Sequence, residues 1–379
     1  MNKALFSKLP DPKKIINWIK ANVVLCIAII AATITAIIVK PDREYLGYFD
    51  FKTLSCLFSV LAVVCALRNI GFFYTLAREI VRRFKNAKIA ILALVYITFI
   101  GSMLIANDMA LLTFLPLGYF ILHTTKKEKY LAFTFIMQNI AANLGGMLTP
   151  FGNPQNLYLY SHFNIPDGEF LGIMLPPFLL SITLITICCL VFVKNEKLEI
   201  EEEKINIPIG RVIIYLFLFA IAIMMVFRFM PFWIGLIIIP AVLLFLDRKA
   251  LLQVDYSLLF TFVFFFIFSN NMGRIDVVKN FFSYLLNINT LVFSALSCQV
   301  ISNVPSAILL SQFTANYKEL LLGVNIGGAG TLIASLASLI TFKSYAKRDP
   351  DHIGNYVLKF SLFNFGFLII LTLFCLIIT

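Results

Sequence analysis

Apolar residues in this chain come in long, nearly unbroken runs, at 19–39, 54–70, 87–122, 130–160, 170–193, 212–229, 232–246, 256–268, 291–313, 320–342 and 353–378. A run that is apolar on every face for some 20 residues is the mark of a helix crossing a bilayer core of about 30 Å. The ten-residue alternation of an outer-membrane barrel strand is absent. Roughly nine crossings and two shorter hairpins are predicted, because irregular spans cannot satisfy their backbone in lipid. The expected fold class is therefore an all-α polytopic membrane protein.

Two runs break the pattern. Run 87–122 is short for two crossings and carries Asn107 and Asp108 near its middle, and run 291–313 is interrupted at Ser302-Asn303-Val304-Pro305. Both read as re-entrant hairpins, at about 87–122 and 289–314. The one long charged stretch, 194–211, reads as a cytoplasmic linker between repeats at 19–193 and 212–379, after an N-terminal cytoplasmic segment at 1–18. Broken helices are expected at about 130–160 and 319–343.

Composition agrees. Of 379 residues 60% are hydrophobic and 13% charged, where a soluble domain carries about a quarter charged. The net charge of +11 reads as topology and not as nucleic-acid binding: with the N-terminus inside, 22 basic residues fall in inner segments and 7 in outer ones, in line with the positive-inside rule. The count puts the N-terminus in the cytoplasm and the C-terminus outside, and the expected location is the cell (inner) membrane. The seven cysteines lie in or beside apolar runs without metal spacing and read as small core residues.

An internal repeat carries most of the information. NLGGMLTPFGNPQNL from Asn143 aligns with NIGGAGTLIASLASL from Asn325, with five identities in fifteen positions. Upstream, Ala106-Asn107-Asp108 matches Ser302-Asn303-Val304, and Asp50-Phe51-Lys52-Thr53-Leu54 matches Asp255-Tyr256-Ser257-Leu258-Leu259. Basic residues put the first hairpin's ends inside and the second's outside, so the repeats are read as inverted. Stretches 72–85 and 274–286 are amphipathic and take equivalent places, as interfacial arms or extensions of the preceding span.

Four helix breaks would then meet near the membrane midplane. Half-helices expected to begin at Met109, Thr149 or Pro150, Pro305 and Thr331 would aim unpaired N–H groups at the centre and favour an anion there. Carbonyls before each break, with Asn and Ser oxygens, suit a hard cation. The paired glycines at 145–146 and 327–328 are expected to supply positive φ or close approach. The solute set is thus Thr149, Pro150, Gly152, Asn153, Asn156, Pro305, Thr331 and Ser335. The cation set is Asn107, Asp108, Asn143, Gly145, Ser302, Asn303, Asn325 and Gly327. Asp108, the one carboxylate deep in an apolar run, either carries a proton or stays ionised beside a cation. Arg68 and Lys359 read as snorkelling side chains, with anion binding as the alternative for Arg68.

On these residues the chain resembles the ion transporter superfamily: divalent anion/sodium symporters, citrate transporters, arsenite permeases and a class of sodium/proton antiporters. The resemblance rests on the tip pairs Asn107-Asp108 and Ser302-Asn303, on NLGGMLTPFGNPQN and on NIGGAGTLIASLAS, and it spans about residue 50 to the C-terminus. It implies a homodimer with a scaffold domain and a transport domain that shifts like an elevator. Divalent-anion symporters carry Ser-Asn-Thr at both tips; Ala-Asn-Asp here is closer to the arsenite and antiporter branches. The expectation is a secondary active transporter moving a small anion, an inorganic oxyanion or carboxylate, across the plasma membrane with Na⁺ or H⁺ as coupling ion. A cation/proton antiporter and an arsenite-type efflux permease are the alternatives. No enzyme motif, resident cofactor or ATP-binding loop is read in the chain, and a separate ATPase partner is compatible with it.

Overall fold

The structure is a computed structural model describing residues 18–19, 22–198 and 207–379. The expected N-terminal segment, apart from Trp18, and part of the linker (199–206) lie outside the described residues. Among the described residues the chain is helical with no strand, and one isolated bridge joins Asn86 to Lys197. Seven stretches are long and apolar enough to cross a membrane, at 51–69, 87–105, 128–148, 167–192, 209–226, 256–273 and 350–378; 23–38 and 232–246 are shorter apolar helices.

Among the described residues the helices follow in two series, of eight and of ten, the second adding Ile209–Val226 and Arg248–Leu252. The first is α1 (Val23–Ile38), α2 (Phe51–Asn69), α3 (Phe72–Arg82), α4 (Ala87–Ile105), α5 (Asn107–Thr124), α6 (Leu131–Gly145), α7 (Pro154–His162) and α8 (Asp167–Phe192). The second is α9 (Ile209–Val226), α10 (Phe232–Leu246), α11 (Arg248–Leu252), α12 (Tyr256–Gly273), α13 (Asp276–Ile288), α14 (Thr290–Ile301), α15 (Asn303–Leu310), α16 (Tyr317–Ile326), α17 (Leu336–Ala346) and α18 (Ile353–Ile378).

Capping residues set equivalent starts. Asp50 accepts from the Thr53 N–H at 2.9 Å to open α2, and Asp255 accepts from the Leu258 N–H at 2.9 Å to open α12. Asn86 and Asn289 do the same for the hairpin helices α4 and α14. The two halves exchange their flanking helices: α1 packs on α12, and α10 packs on α2. Helix α6 is enclosed on nearly every face. By contrast, α8 buries one stripe, Phe170, Met174, Pro177, Ser181, Ile185 and Cys189, and turns Leu171, Leu175, Leu179 and Ile187 outward. That split is expected of a peripheral span against lipid. All seven cysteines are unpaired, and five of them are buried.

The start of the linker is strapped to the first hairpin. The Ala87 N–H donates to the Glu196 carbonyl at 2.8 Å and the Leu198 N–H to the Lys85 carbonyl at 3.0 Å. The Glu196 carboxylate takes Lys127 at 2.6 Å, Lys129 at 2.5 Å and the Tyr130 hydroxyl at 2.9 Å. These hydrogen bonds hold its pKa down at about 2. A lowered carboxylate pKa stabilises the strap above the ordinary glutamate range near 4.5, and the effect is lost as pH falls toward 2. Hydrogen–deuterium exchange at the Ala87 and Leu198 amides should therefore accelerate as pH is lowered through that window, after correction for intrinsic rates. Glu196→Gln should exchange quickly at every pH.

Candidate functional site

The two hairpins turn on the same unusual residue conformation. Ala106, between α4 and α5, has φ 65° and ψ 152°, and Ser302, between α14 and α15, has φ 74° and ψ 158°. This region is almost reserved for glycine and costs of order 1–3 kcal/mol elsewhere. At each tip the following asparagine bends back onto the next amide: Asn107 Oδ1 accepts from the Asp108 N–H at 2.9 Å, and Asn303 Oδ1 from the Val304 N–H at 2.9 Å. Both tips open into one cavity of about 170 Å³. Asn107, Asp108, Ser302, Asn303 and Pro305 line it, with Gln155 from α7, Asp255, Ser257 and Thr261 from the start of α12, Asn22 before α1, and Lys343 on α17.

The broken helices supply the floor. After Gly145 the chain makes a 3-10 turn at Gly146–Leu148 and a second turn closed by the Gly152 N–H on the Thr149 carbonyl at 3.2 Å, and α7 begins after Asn153; the second copy leaves the helix after Ile326 and restarts after Ser335. Asn153 (φ −140°, ψ 144°) and Ser335 (φ −151°, ψ 145°) occupy matching positions. Each reaches the asparagine of the other copy: the Ser335 hydroxyl donates to Asn143 Oδ1 at 2.8 Å, and Asn153 Nδ2 donates to Asn325 Oδ1 at 3.4 Å. Asn107 Nδ2 also donates to Asn143 Oδ1, at 3.2 Å, which ties the first tip to this clasp. Asn325 Nδ2 donates to Asn156 Oδ1 at 2.6 Å, and Gln155 Nε2 to Asn325 Oδ1 at 3.4 Å.

Several expectations change here. The half-helices start at Asn107, Pro154, Asn303 and Leu336, not at Met109, Thr149 or Pro150, and Thr331. Thr149 donates to the Met103 carbonyl at 2.6 Å, and Asn156 Nδ2 gathers the carbonyls of Gly146, Met147 and Thr149. The Thr331 N–H is taken by Gln299 Oε1 at 2.8 Å. Thr149, Pro150, Gly152, Asn153, Asn156, Thr331 and Ser335 therefore stand outside the cavity lining and shape the breaks behind it. The reason is that a broken helix must satisfy its own freed carbonyls before it can offer groups to a solute. The second tip keeps no free N–H in its first turn: that of Asn303 goes to the Ala334 carbonyl at 2.9 Å, that of Val304 to Asn303, and Pro305 has none.

The glycine pairs also differ from expectation. None of Gly145, Gly146, Gly327 and Gly328 has positive φ. Gly145 lies where a Cβ would meet Ser102 Oγ at 2.6 Å, and one at Gly327 would meet Cys298 Sγ at 2.8 Å, so each lets a broken helix press against its hairpin. Asn143, Gly145, Asn325 and Gly327 thus lie behind the lining. Arg68 donates to Met109 Sδ at 3.6 Å, next to Asp108, and Lys359 is exposed.

Four buried polar atoms at the site have no partner among the described residues: Asp108 Oδ1, Gln155 Oε1, Asn153 Oδ1 and Asn143 Nδ2. Three are oxygens, and a buried unsatisfied acceptor costs about 1–3 kcal/mol. Gln155 was not singled out from the sequence. Its signal was present, an amide side chain between Pro154 and Asn156 inside the first broken-helix motif.

The sequence pattern of the citrate transporter family (CitMHS) matches residues 14–319. The chain belongs to this family. It is 34% identical over 310 residues to an uncharacterized transporter of Methanocaldococcus jannaschii, covering 81% of this chain and 84% of that one. It is 28% identical over 313 residues to the inner membrane protein YbiR of Escherichia coli, covering 79% and 82%. A shorter match, 28% identical over 156 residues, is to the silicon efflux transporter LSI3 of Oryza sativa subsp. japonica, covering 40% and 31%. Among solved structures, the YdaH transporter of Alcanivorax borkumensis, described as having an unusual topology, superposes with a TM-score of 0.52 over 87% of each chain at 13% identity. That likeness is one of fold. This member of the citrate transporter family is accordingly a membrane transporter, and the cavity between its two hairpin tips is its candidate solute site.

Two outcomes test this geometry. Ala106→Gly should be neutral or raise the melting temperature of detergent-purified protein, relieving about 1 kcal/mol of strain, whereas Ala106→Val should lower it by several degrees. Asn325→Ala removes the shared partner of Asn153, Gln155 and Asn156 and should destabilise by roughly 2–4 kcal/mol. Asn325→Asp, which keeps the acceptor oxygen but sets a second oxygen against Asn156 Oδ1 and the Leu321 carbonyl in place of the donating Nδ2, should lose at least as much.

Proposed function

We propose that the protein is a secondary active transporter in which Asp108 binds the coupling cation, Na⁺ or H⁺, while the two tips hold a small oxyacid or its anion. One observation carries the reading: tips from both repeats, each on a strained non-glycine residue, converge on a cavity holding a single deep carboxylate with an unpartnered oxygen. A volume near 170 Å³ is below the roughly 300 Å³ of sites for drug-sized ligands, which favours a solute of few heavy atoms. Asn107, Ser302 and Asn303 offer amide and hydroxyl groups that recognise hydroxyl or oxo ligands in either protonation state.

A second reading, efflux of an uncharged oxyacid in exchange for the cation, is favoured by the used-up N–H groups at the second tip and by the rice relative named as a silicon efflux transporter. Under both readings the chain spans the plasma membrane with inverted repeats, N-terminus inside and C-terminus outside. Homodimerisation and an elevator-like shift rest on the superfamily resemblance alone.

Proteoliposome flux tests the proposal. Counterflow of a labelled oxyacid should saturate and should respond to an imposed Na⁺ or pH gradient. Asp108→Asn should abolish that response while the protein keeps its fold. Flux through Asp108→Asn with unchanged cation dependence would remove Asp108 from the coupling step.

A further inference from the structure

A second cavity, of about 380 Å³, lies at the other ends of the helices that line the first. Helix α7 places Gln155 at the first cavity and Ser161 and His162 at the second; α15 runs from Asn303 at the first toward Gln312 at the second. Along α12, Thr261 faces the first cavity and Asn270 the second, roughly 13 Å apart at the helical rise. Between them lie the buried rings of Tyr158, Phe262 and Phe266, and the Tyr158 hydroxyl meets Ser311 Oγ at 2.8 Å.

The furnishing of the second cavity differs from that of the first. Lys52 lines it, and the Lys52 ammonium makes no hydrogen bond or ion pair among the described residues. Asp50, the carboxylate in the lining, is consumed by its own helix start: one oxygen accepts from the Thr53 N–H at 2.9 Å and the other from the Thr53 hydroxyl. His162 is likewise without a hydrogen bond and stacks on Tyr158. Ser161 and the amides of Asn270 and Gln312 complete a polar wall, with Asn270 Nδ2 donating to the Phe266 carbonyl at 2.8 Å.

The repeat relates this set to the first cavity. Asp50 and Lys52 correspond to Asp255 and Ser257, and Ser161 corresponds to Lys343. Each cavity therefore has one helix-capping aspartate, one lysine and one serine at matched positions, with lysine and serine exchanged. The deep carboxylate Asp108 belongs to the first cavity alone.

We propose that the second cavity is an oxyanion site built on Lys52, binding a phosphate-like group supplied by a free anion or by a lipid headgroup. It is independent of the assignment of Asp108. Lys52 makes no ion pair with Asp50, whose charge nevertheless acts on it, and the Arg228 charge acts in the opposite sense; an ammonium with open donor positions in a polar cavity binds an oxyanion through charge-assisted hydrogen bonds.

The test uses the full chain in nanodiscs of zwitterionic lipid and titrates inorganic phosphate in chloride-free buffer. Phosphate should protect Lys52 from amine acylation, read by mass spectrometry. In calorimetry Lys52→Gln should weaken phosphate binding by roughly tenfold or more, and Lys52→Arg should stay within about threefold, since the charge is kept. Protection that arises only when phosphatidylglycerol is added supports the site with a headgroup as its occupant. Acylation of Lys52 that neither phosphate nor phosphatidylglycerol slows overturns it, and because that readout uses the unaltered protein it holds even where Lys52→Gln fails to fold. Loss of phosphate binding in Asp108→Asn with no effect of Lys52→Gln would also overturn it.

Discussion

A helix that stops inside a bilayer strands carbonyls and amides where no water can reach them, and everything central in this molecule follows from how those groups are satisfied. The answer is side-chain amides. Asn156 takes three carbonyls of the first break, and Gln299 takes the Gly327 carbonyl at 2.8 Å and the Thr331 N–H in the second. Because Asn143 and Asn325 each bond into the other copy, neither break is complete alone. The two repeats are thereby fixed to each other by polar contacts with defined directions, where lipid would give apolar packing little preference.

This solution constrains the chemistry of the site. Backbone N–H groups that sequence logic assigns to a solute are used to close the structure, at the second tip completely. Recognition then falls to side chains: the Asn107 and Asn303 amides, the Ser302 hydroxyl and the Asp108 carboxylate. The strained tip residues hold those groups in place, and strain at a ligand-facing turn persists only where surrounding structure over-determines it. Here the clasp beneath provides that support.

Near-symmetry with selective departures explains why one carboxylate matters. Asn107 and Asn303 cap their helices identically, yet the next residue is Asp108 in one copy and Val304 in the other. Lys52 and Lys343 likewise sit on opposite walls of the two cavities. The fold keeps two equivalent frameworks while the charges fitted to them differ, which is what a directional process requires of a duplicated scaffold.

The sequence by itself determined the helical membrane class, the two hairpins, the two broken helices and the residues at their tips. Run length, polar interruptions and duplicated order are local quantities that survive without coordinates. It also singled out Asn143 and Asn325 as cation ligands and Asn153 and Ser335 as solute ligands. Only tertiary structure decided that these four join across the repeats and stand behind the cavity, that Gly145 and Gly327 serve packing and not positive φ, and that Gln155 and Lys343 reach the lining. The physical reason is competition for each polar group. Whether an amide faces a solute or a neighbouring backbone depends on which partner lies within hydrogen-bond reach, and pairs 172 and 192 residues apart leave no periodic trace in the chain.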